Sequence, residues 1–170
     1  MSLFEEEKQA QSTYSPGPIG SRELLIRICI SPEHVSSDTN ELLASAISRD
    51  DLRTRGFSVW RLEHTPIDKY QEIKAGYLAR KEGSSFAGVA CAICKDIREA
   101  QSSNPDENQK HLRLFKALDA ADTAKESGHA HIFFATSDLK KSMERKIRSH
   151  LAELLNPLQT EESLGFNSES

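Results

Sequence analysis

The stretch ELLIRICI, residues 23–30, is the part of the chain from which the fold is most directly inferred. It is rich in leucine and isoleucine, and polar residues flank it on both sides. Short apolar runs of this kind are typical of a buried β-strand. Four comparable runs follow along the chain, at 57–62, 85–93, 112–119 and 130–136. The sequence therefore predicts a sheet of five strands.

Segments with helical periodicity separate most of these strands. Residues 38–53 open with Asp38 as a helix cap, and leucine, alanine and isoleucine then recur at helical spacing. Residues 66–83 begin with proline and close with glycine, which is the usual asymmetry of helix ends. Residues 94–101 are compatible with a short helix or with an extension of the third strand. Residues 138–155 carry a leucine, isoleucine and methionine stripe, which predicts the last helix.

The predicted order of elements is βαβαβ(α)ββα. Strands separated by helices favour crossover connections, and therefore a sheet that is at least partly parallel. Residues 120–128 are too short and polar for a packed crossover helix, so the last two strands are expected to pair antiparallel. The predicted fold class is α/β, bordering on α+β, with a mixed, mostly five-stranded sheet covered by helices.

The composition of both ends predicts a single domain over residues 22–156. Residues 1–21 mix charged residues with proline and glycine and show no periodicity, which is typical of a mobile segment. Residues 157–170 begin at a proline and are polar apart from Leu164 and Phe166. Those two side chains either dock as a short hook or belong to a mobile tail.

Charge and cysteine content exclude several classes of partner and location. The 170 residues carry a formal net charge of −4, which predicts no attraction to nucleic acid or to an anionic membrane. Apolar runs are all shorter than the ~20 residues of a membrane span, and the first thirty residues contain no signal-peptide core. The three cysteines do not form a secreted disulfide framework. We therefore expect a cytoplasmic protein.

The stretch GHAHIFF, residues 128–134, presents two histidines one residue apart on a predicted strand. Because alternate strand residues share a face, His129 and His131 would project side by side and could bind a metal or a phosphate. Two ordinary strand histidines are the alternative interpretation. The run also resembles part of the histidine-triad motif of nucleotide hydrolases and transferases, which implies a nucleophilic role for His131. Phe133 stands where that motif has its third histidine.

Arg61 and His64 lie at the carboxyl end of the second predicted strand. If the fifth strand runs antiparallel to the second, its amino end brings His129 and His131 to the same edge of the sheet. This arrangement also needs the fourth strand to run in the direction of the second. Arginine and histidine side chains that converge at one edge suit a phosphate- or carboxylate-bearing ligand. These four residues form the predicted ligand site.

The pair Cys91 and Cys94 has the C-x-x-C spacing of a zinc half-site or a redox pair. Zinc would need two more ligands, which the histidines of residues 128–134 could supply. The alternative is two small buried apolar side chains, which the alanine, valine and isoleucine neighbours favour. We therefore expect no cofactor, with zinc as the minor alternative.

Motifs of the common nucleotide-binding and hydrolytic enzymes are missing from the sequence. The leading hypothesis is a non-catalytic binding or interaction module that works with a protein partner or with a second copy of itself. Its interface would be the apolar stripe of the last helix, if the sheet leaves that stripe uncovered. The alternative is an enzyme or sensor for a small anionic ligand.

Overall fold

Five strands form one sheet in the computed structural model, which describes residues 2–102 and 111–166. The strands are β1 (Leu24–Ser31), β2 (Phe57–Arg61), β3 (Ser85–Ile93), β4 (Phe115–Asp119) and β5 (His129–Phe134). Their order across the sheet is β3-β1-β2-β5-β4. The predicted class, an α/β chain with a five-stranded sheet and helices, is confirmed.

The direction of the strands corrects the expectation of a partly parallel sheet. Each pair of neighbouring strands in the described residues is antiparallel. Strands β2 and β3 are both antiparallel to β1, so they run in the same direction, as the helix between them predicts. They do not pair because β1 lies between them. Local sequence patterns indicate the direction of a strand, but they do not indicate which strand becomes its neighbour.

Three α-helices cover the sheet: α1 (Ile67–Ala79), α2 (Cys94–Glu99) and α3 (Lys141–Leu155). Helices α1 and α3 lie within the predicted ranges 66–83 and 138–155. The structure places a short helix, not a continued strand, after β3. Among the described residues, no helix combines the length and the apolar character needed to cross a membrane.

The two faces of the sheet contact different helices. Strand β1 shows the reason, because its side chains alternate between the faces. Ile26 and Ile28 pack in a cluster with Tyr70 and Tyr77 of α1. Leu25 belongs to the larger cluster on the opposite face, where residues of α2 and α3 are buried. A strand that is apolar on both faces therefore lies in the middle of a three-layer structure.

The predicted helix over residues 38–53 is wrong. The structure has a three-residue turn of 3-10 helix at Ala44–Ala46 and a five-residue helical turn at Asp51–Arg55. Leu42, Ile47 and Leu52 are buried, and part of the backbone hydrogen bonds of the segment are tertiary. The Leu42 N–H donates to the Asn156 side chain at 2.8 Å, and the Leu43 N–H donates to the His34 carbonyl at 2.9 Å. These bonds replace those of a local helix.

Residues 2–21, expected to form a mobile segment, contact β4 and the core in the structure. The Glu7 carboxylate is buried and accepts hydrogen bonds from Arg98 and Arg113 at 2.8 Å. It also accepts the Ala117 N–H of β4 at 3.2 Å, so the segment covers one edge of the sheet. Unpaired strand edges invite aggregation, and this contact removes part of that liability. Composition alone could not show that Glu7 has partners about a hundred positions away in the chain.

The segment after α3 covers the opposite edge of the sheet. Val89 of β3 and Gln159 exchange backbone hydrogen bonds of 2.9 and 2.7 Å. Phe166 is buried, and its ring stacks on Tyr70 with a centroid separation of 4.0 Å. Of the two alternatives for this segment, the structure shows the docked hook. Residues 167–170 of the predicted tail lie outside the described residues.

Candidate functional site

The histidine pair lies where the strand directions predict. Strand β5 is antiparallel to both β2 and β4, so β4 runs in the direction of β2. The amino end of β5 therefore adjoins the carboxyl end of β2, and His129 is the cross-strand partner of Trp60. The rings of His129 and His131 lie side by side, with centroids 4.7 Å apart. The strand directions that would bring the histidines to the same edge as Arg61 are therefore those seen in the structure.

Arg61 reaches the same edge but lies on the opposite face. His129 and His131 pair with Trp60 and Ser58, and Arg61 alternates with Trp60 along β2. The sheet therefore separates the Arg61 side chain from the two histidines. One residue of register decides this outcome, since a shift of one position moves a side chain to the other face.

Arg61 is also fully engaged by groups of the protein. Its guanidinium is 2% exposed and donates to Glu23 at 2.7 and 2.8 Å. It further donates to the Gly17 carbonyl at 2.7 Å and lies 3.4 Å from Asp119. His64 joins this cluster, with its Nε2 3.6 Å from the Glu23 carboxylate. Arg61 and His64 thus hold the N-terminal segment against the sheet and lie apart from the histidine pair.

A groove of about 360 Å³ runs between α1 and the strands β2 and β5, and His129 lines it. Its lining is both apolar and polar, and Trp60, Ile73 and Tyr77 form the apolar part. The charged and hydroxyl side chains that line it are Ser58, Lys69, Glu72, Arg80 and Glu126. Sequence reasoning missed Lys69 and Arg80, because a lysine or arginine on a helix is usually a solvated side chain.

Two arginines without carboxylate partners lie over Tyr77, and one of them, Arg80, lines the groove together with Tyr77. The Arg80 guanidinium lies over the Tyr77 ring at 4.4 Å, and the Arg27 guanidinium lies 5.0 Å from the same ring. Arg27 also donates to the Ser58 carbonyl at 2.7 Å. Neither arginine has a carboxylate within 4.0 Å in residues 2–102 and 111–166. Lys69, in contrast, is shared between two glutamates.

The charges around the groove also act on a third imidazole. Burial lowers the pKa of His34, and the neighbouring charges of Arg27 and Arg80 lower it further against the opposing effect of Glu33. Its Nδ1 accepts the Ile30 N–H at 3.1 Å, which fits a neutral ring. Arg27 and Arg80 therefore lie close enough to His34 to act on its imidazole.

His129 is held from two sides. Its ring stacks on Trp60 at 4.6 Å with an angle of 27° between the planes. Its Nε2 lies 2.7 Å from the Ser58 Oγ. Burial lowers the pKa of His129, although nearby Asp122 and a hydrogen bond to the Ala120 backbone act in the opposite direction. The imidazole is therefore neutral near pH 7 and can accept a proton.

His131 depends on Gly56 for its space. Burial, and then the proximity of His129, lower the pKa of His131 to about 4, so this ring is neutral as well. Gly56 has a positive φ of 92°, and a β-carbon placed there would lie 2.4 Å from the His131 ring. A glycine is therefore required at this position for both backbone and steric reasons.

Replacement of Gly56 by alanine is expected to lower the free energy of unfolding by at least about 1–2 kcal/mol, from the left-handed backbone alone. The clash with His131 adds to this loss. Chemical denaturation in urea measures the change, and Gly83→Ala is a matched control. Gly83 has a similar φ of 84° but no atom within 4 Å of its added β-carbon. An equal loss in both variants would show that His131 does not constrain Gly56.

The two cysteines of the C-x-x-C motif point into opposite sides of the sheet. Cys94 is buried in the cluster shared with α2 and α3, whereas Cys91 packs against the cluster shared with α1. Burial raises the pKa of both thiols, that of Cys94 to about 11. The two side chains therefore do not share one side of the sheet, and neither belongs to the group of three potential metal ligands found in the described residues.

One group of three potential metal ligands occurs in the described part of the chain. The ligand atoms of Glu23, Glu63 and His64 lie within 4.8 Å of one another. The Glu23 carboxylate is already bound to the Arg61 guanidinium through two hydrogen bonds. A cation at this position would compete with that buried arginine, so the cluster is better described as part of the Arg61 network.

The apolar stripe of α3 is used inside the protein. Ile147, Leu151 and Leu155 are buried against the sheet, and Met143 is the one large apolar side chain of the helix that is exposed, at 40%. A single exposed methionine does not make an apolar interface. The predicted interaction surface on this helix is therefore taken up by the core.

No family model, curated protein or solved structure matches the chain.

Proposed function

We propose that this domain binds a small ligand that bears a phosphate or carboxylate group, in the groove between α1 and the strands β2 and β5. The observation that carries the proposal is the pair Arg27 and Arg80, which share the Tyr77 ring without a carboxylate partner in the described residues. Arg80 lines the groove, so its guanidinium is accessible to a ligand there. Guanidinium groups bind phosphate and carboxylate through paired hydrogen bonds.

The sequence also predicts a phosphate- or carboxylate-bearing ligand, but the residues proposed to bind it are different. Arg80 supplies the positive charge, because Lys69 is already paired with Glu72 and Glu126. Ser58 and His129 supply hydrogen-bonding groups on the opposite wall. Arg61 and His64 have structural roles instead. Binding of a partner protein through α3 is the less favoured function, because the apolar stripe of that helix is buried. The three cysteines are free thiols, which supports a reducing compartment such as the cytoplasm.

Titration of the protein with inorganic phosphate, followed by amide chemical shifts in NMR spectra, tests this proposal. We expect saturable shifts at Tyr77, Arg80 and His129. The variant Arg80→Gln should weaken binding by about tenfold or more, because a charge-assisted hydrogen bond contributes roughly 1.5–3 kcal/mol.

The matched control is Arg145→Gln, which removes an exposed arginine on α3, on the opposite face of the sheet. It should leave phosphate binding unchanged. Equal weakening in both variants, or shifts that spread evenly over the surface, would show that phosphate responds only to overall charge and would contradict the proposed site.

A further inference from the structure

Ser58 and His129 form a short contact that faces the groove. Ser58 lies in β2 and His129 at the start of β5, and the Ser58 Oγ is 2.7 Å from the His129 Nε2. Both residues line the groove, and both are half-buried. A hydroxyl within hydrogen-bond reach of an imidazole is the first requirement for an activated serine nucleophile.

Neighbouring rings orient the imidazole. The His129 ring stacks on Trp60 at 4.6 Å, and its other neighbour is the His131 ring at 4.7 Å. These contacts fix the plane of the ring and keep its Nε2 facing the Ser58 Oγ. The proposed reaction uses the tautomer in which this nitrogen accepts the Ser58 proton. A base held by a further partner is the second requirement.

We propose that Ser58 is a nucleophile activated by His129, and that the groove hydrolyses small carboxylic esters that carry an anionic group. The inference rests on the proposed anion site for its choice of substrate, but the nucleophile and base stand on their own geometry. Arg80 lines the groove and has no ion-pair partner among the described residues, so it binds the anionic group and selects the ester.

The reaction balances without a cofactor. The Ser58 Oγ attacks the ester carbonyl carbon, and its proton passes to the His129 Nε2. The bond from the carbonyl carbon to the leaving oxygen breaks, and the alcohol takes the proton from His129. A water molecule then attacks the acyl-serine by the same route, which frees the carboxylic acid and restores Ser58. No electron is gained or lost in either step.

Reaction of the full-length protein with a fluorophosphonate, followed by peptide mass spectrometry, tests the nucleophile. We expect one adduct per chain, located on Ser58 and absent from Ser58→Ala. His129→Ala should slow the labelling by about 100-fold or more, which is the usual effect of losing a general base. Ser149→Ala, on an exposed position of α3, should label like the unaltered protein.

The outcomes separate this inference from the proposed anion site. If phosphate binds but Ser58 stays unlabelled, the contact with His129 is only structural and the inference is overturned. Labelling at the same rate in His129→Ala would overturn the role of His129 as base. Phosphate binding and the labelling of Ser58 are both measured on the unaltered protein. A variant that fails to fold therefore does not decide whether Ser58 is a nucleophile.

Substrate selection has its own measurement. Hydrolysis of 4-nitrophenyl hydrogen succinate, an anionic ester, is compared with that of the neutral 4-nitrophenyl acetate. Arg80→Gln should lower kcat/KM for the anionic ester by about tenfold and leave the neutral ester unaffected. An equal loss for both esters would contradict selection through the anionic group, even if Ser58 is labelled.

Discussion

Replacement of Arg61 by alanine is expected to lower the free energy of unfolding by about 3–5 kcal/mol, which is the cost of removing one partner from a buried ion pair. The Arg61 side chain is 2% exposed, and that of its partner Asp119 is 0% exposed. Truncation leaves the Glu23 and Asp119 carboxylates buried together without their cation. The Gly17 carbonyl also loses the donor at 2.7 Å that holds the N-terminal segment.

Urea denaturation of Arg61→Ala and of Arg55→Ala provides the comparison. Arg55 also pairs with an aspartate, at 2.9 Å, but its side chain is 69% exposed. Loss of such an exposed pair changes stability by about 0–1 kcal/mol. A change of similar size in both variants would show that the Arg61 network contributes no more than a surface ion pair. Phosphate binding serves as a second readout, and it should survive in Arg61→Ala because this arginine lies on the opposite face from the groove.

Glu7→Gln is expected to destabilise the protein by about 3 kcal/mol, because the neutral amide leaves two arginines without their shared carboxylate. The Glu7 side chain is 0% exposed and pairs with Arg98 and Arg113, both at 2.8 Å. It also accepts the Ala117 N–H of the edge strand β4. The matched control is Glu5→Gln, whose carboxylate is 83% exposed and pairs with Lys8, so its loss should be small.

The pH dependence of unfolding gives a second measurement on Glu7→Gln. Burial raises the pKa of Glu7, but hydrogen bonds from Arg113 and from the Phe4 and Ala117 N–H groups more than offset it, so the pKa lies below its usual value. A carboxyl whose pKa is lowered by folding stabilises the protein above the unfolded-state pKa, and this contribution is lost as the pH falls through the folded-state pKa. Stability should therefore fall less steeply with acid in Glu7→Gln. An unchanged slope would contradict the role of Glu7.

The candidate site was predictable from the sequence only in part. Alternation along a strand correctly predicted that His129 and His131 share a face, because residues two apart in a strand always do. Alternation within one strand does not predict that the cross-strand partners of the histidines are Trp60 and Ser58, which separates Arg61 from them. Register between strands is set by tertiary packing.

Lys69 and Arg80 could not be identified as groove residues from the sequence. Both lie in the predicted range 66–83, where the proline and glycine at the ends correctly indicated a helix. The groove exists because that helix lies across β2 and β5, at a position that depends on the whole assembly. The residues missed were therefore polar ones on a correctly predicted element, and no motif marks them.

Local patterning was enough to determine the five strands, two long helices and the α/β class, since each depends on spacing within a short window of sequence. Tertiary structure decided the antiparallel order, the turns that replace the helix at 38–53 and the docking of both terminal segments. Each of these results depends on partners distant in the chain, as for Glu7 with Arg98 and Leu42 with Asn156. A buried carboxylate or backbone amide is bound by whichever group the fold brings to it, and nothing in its local sequence identifies that group.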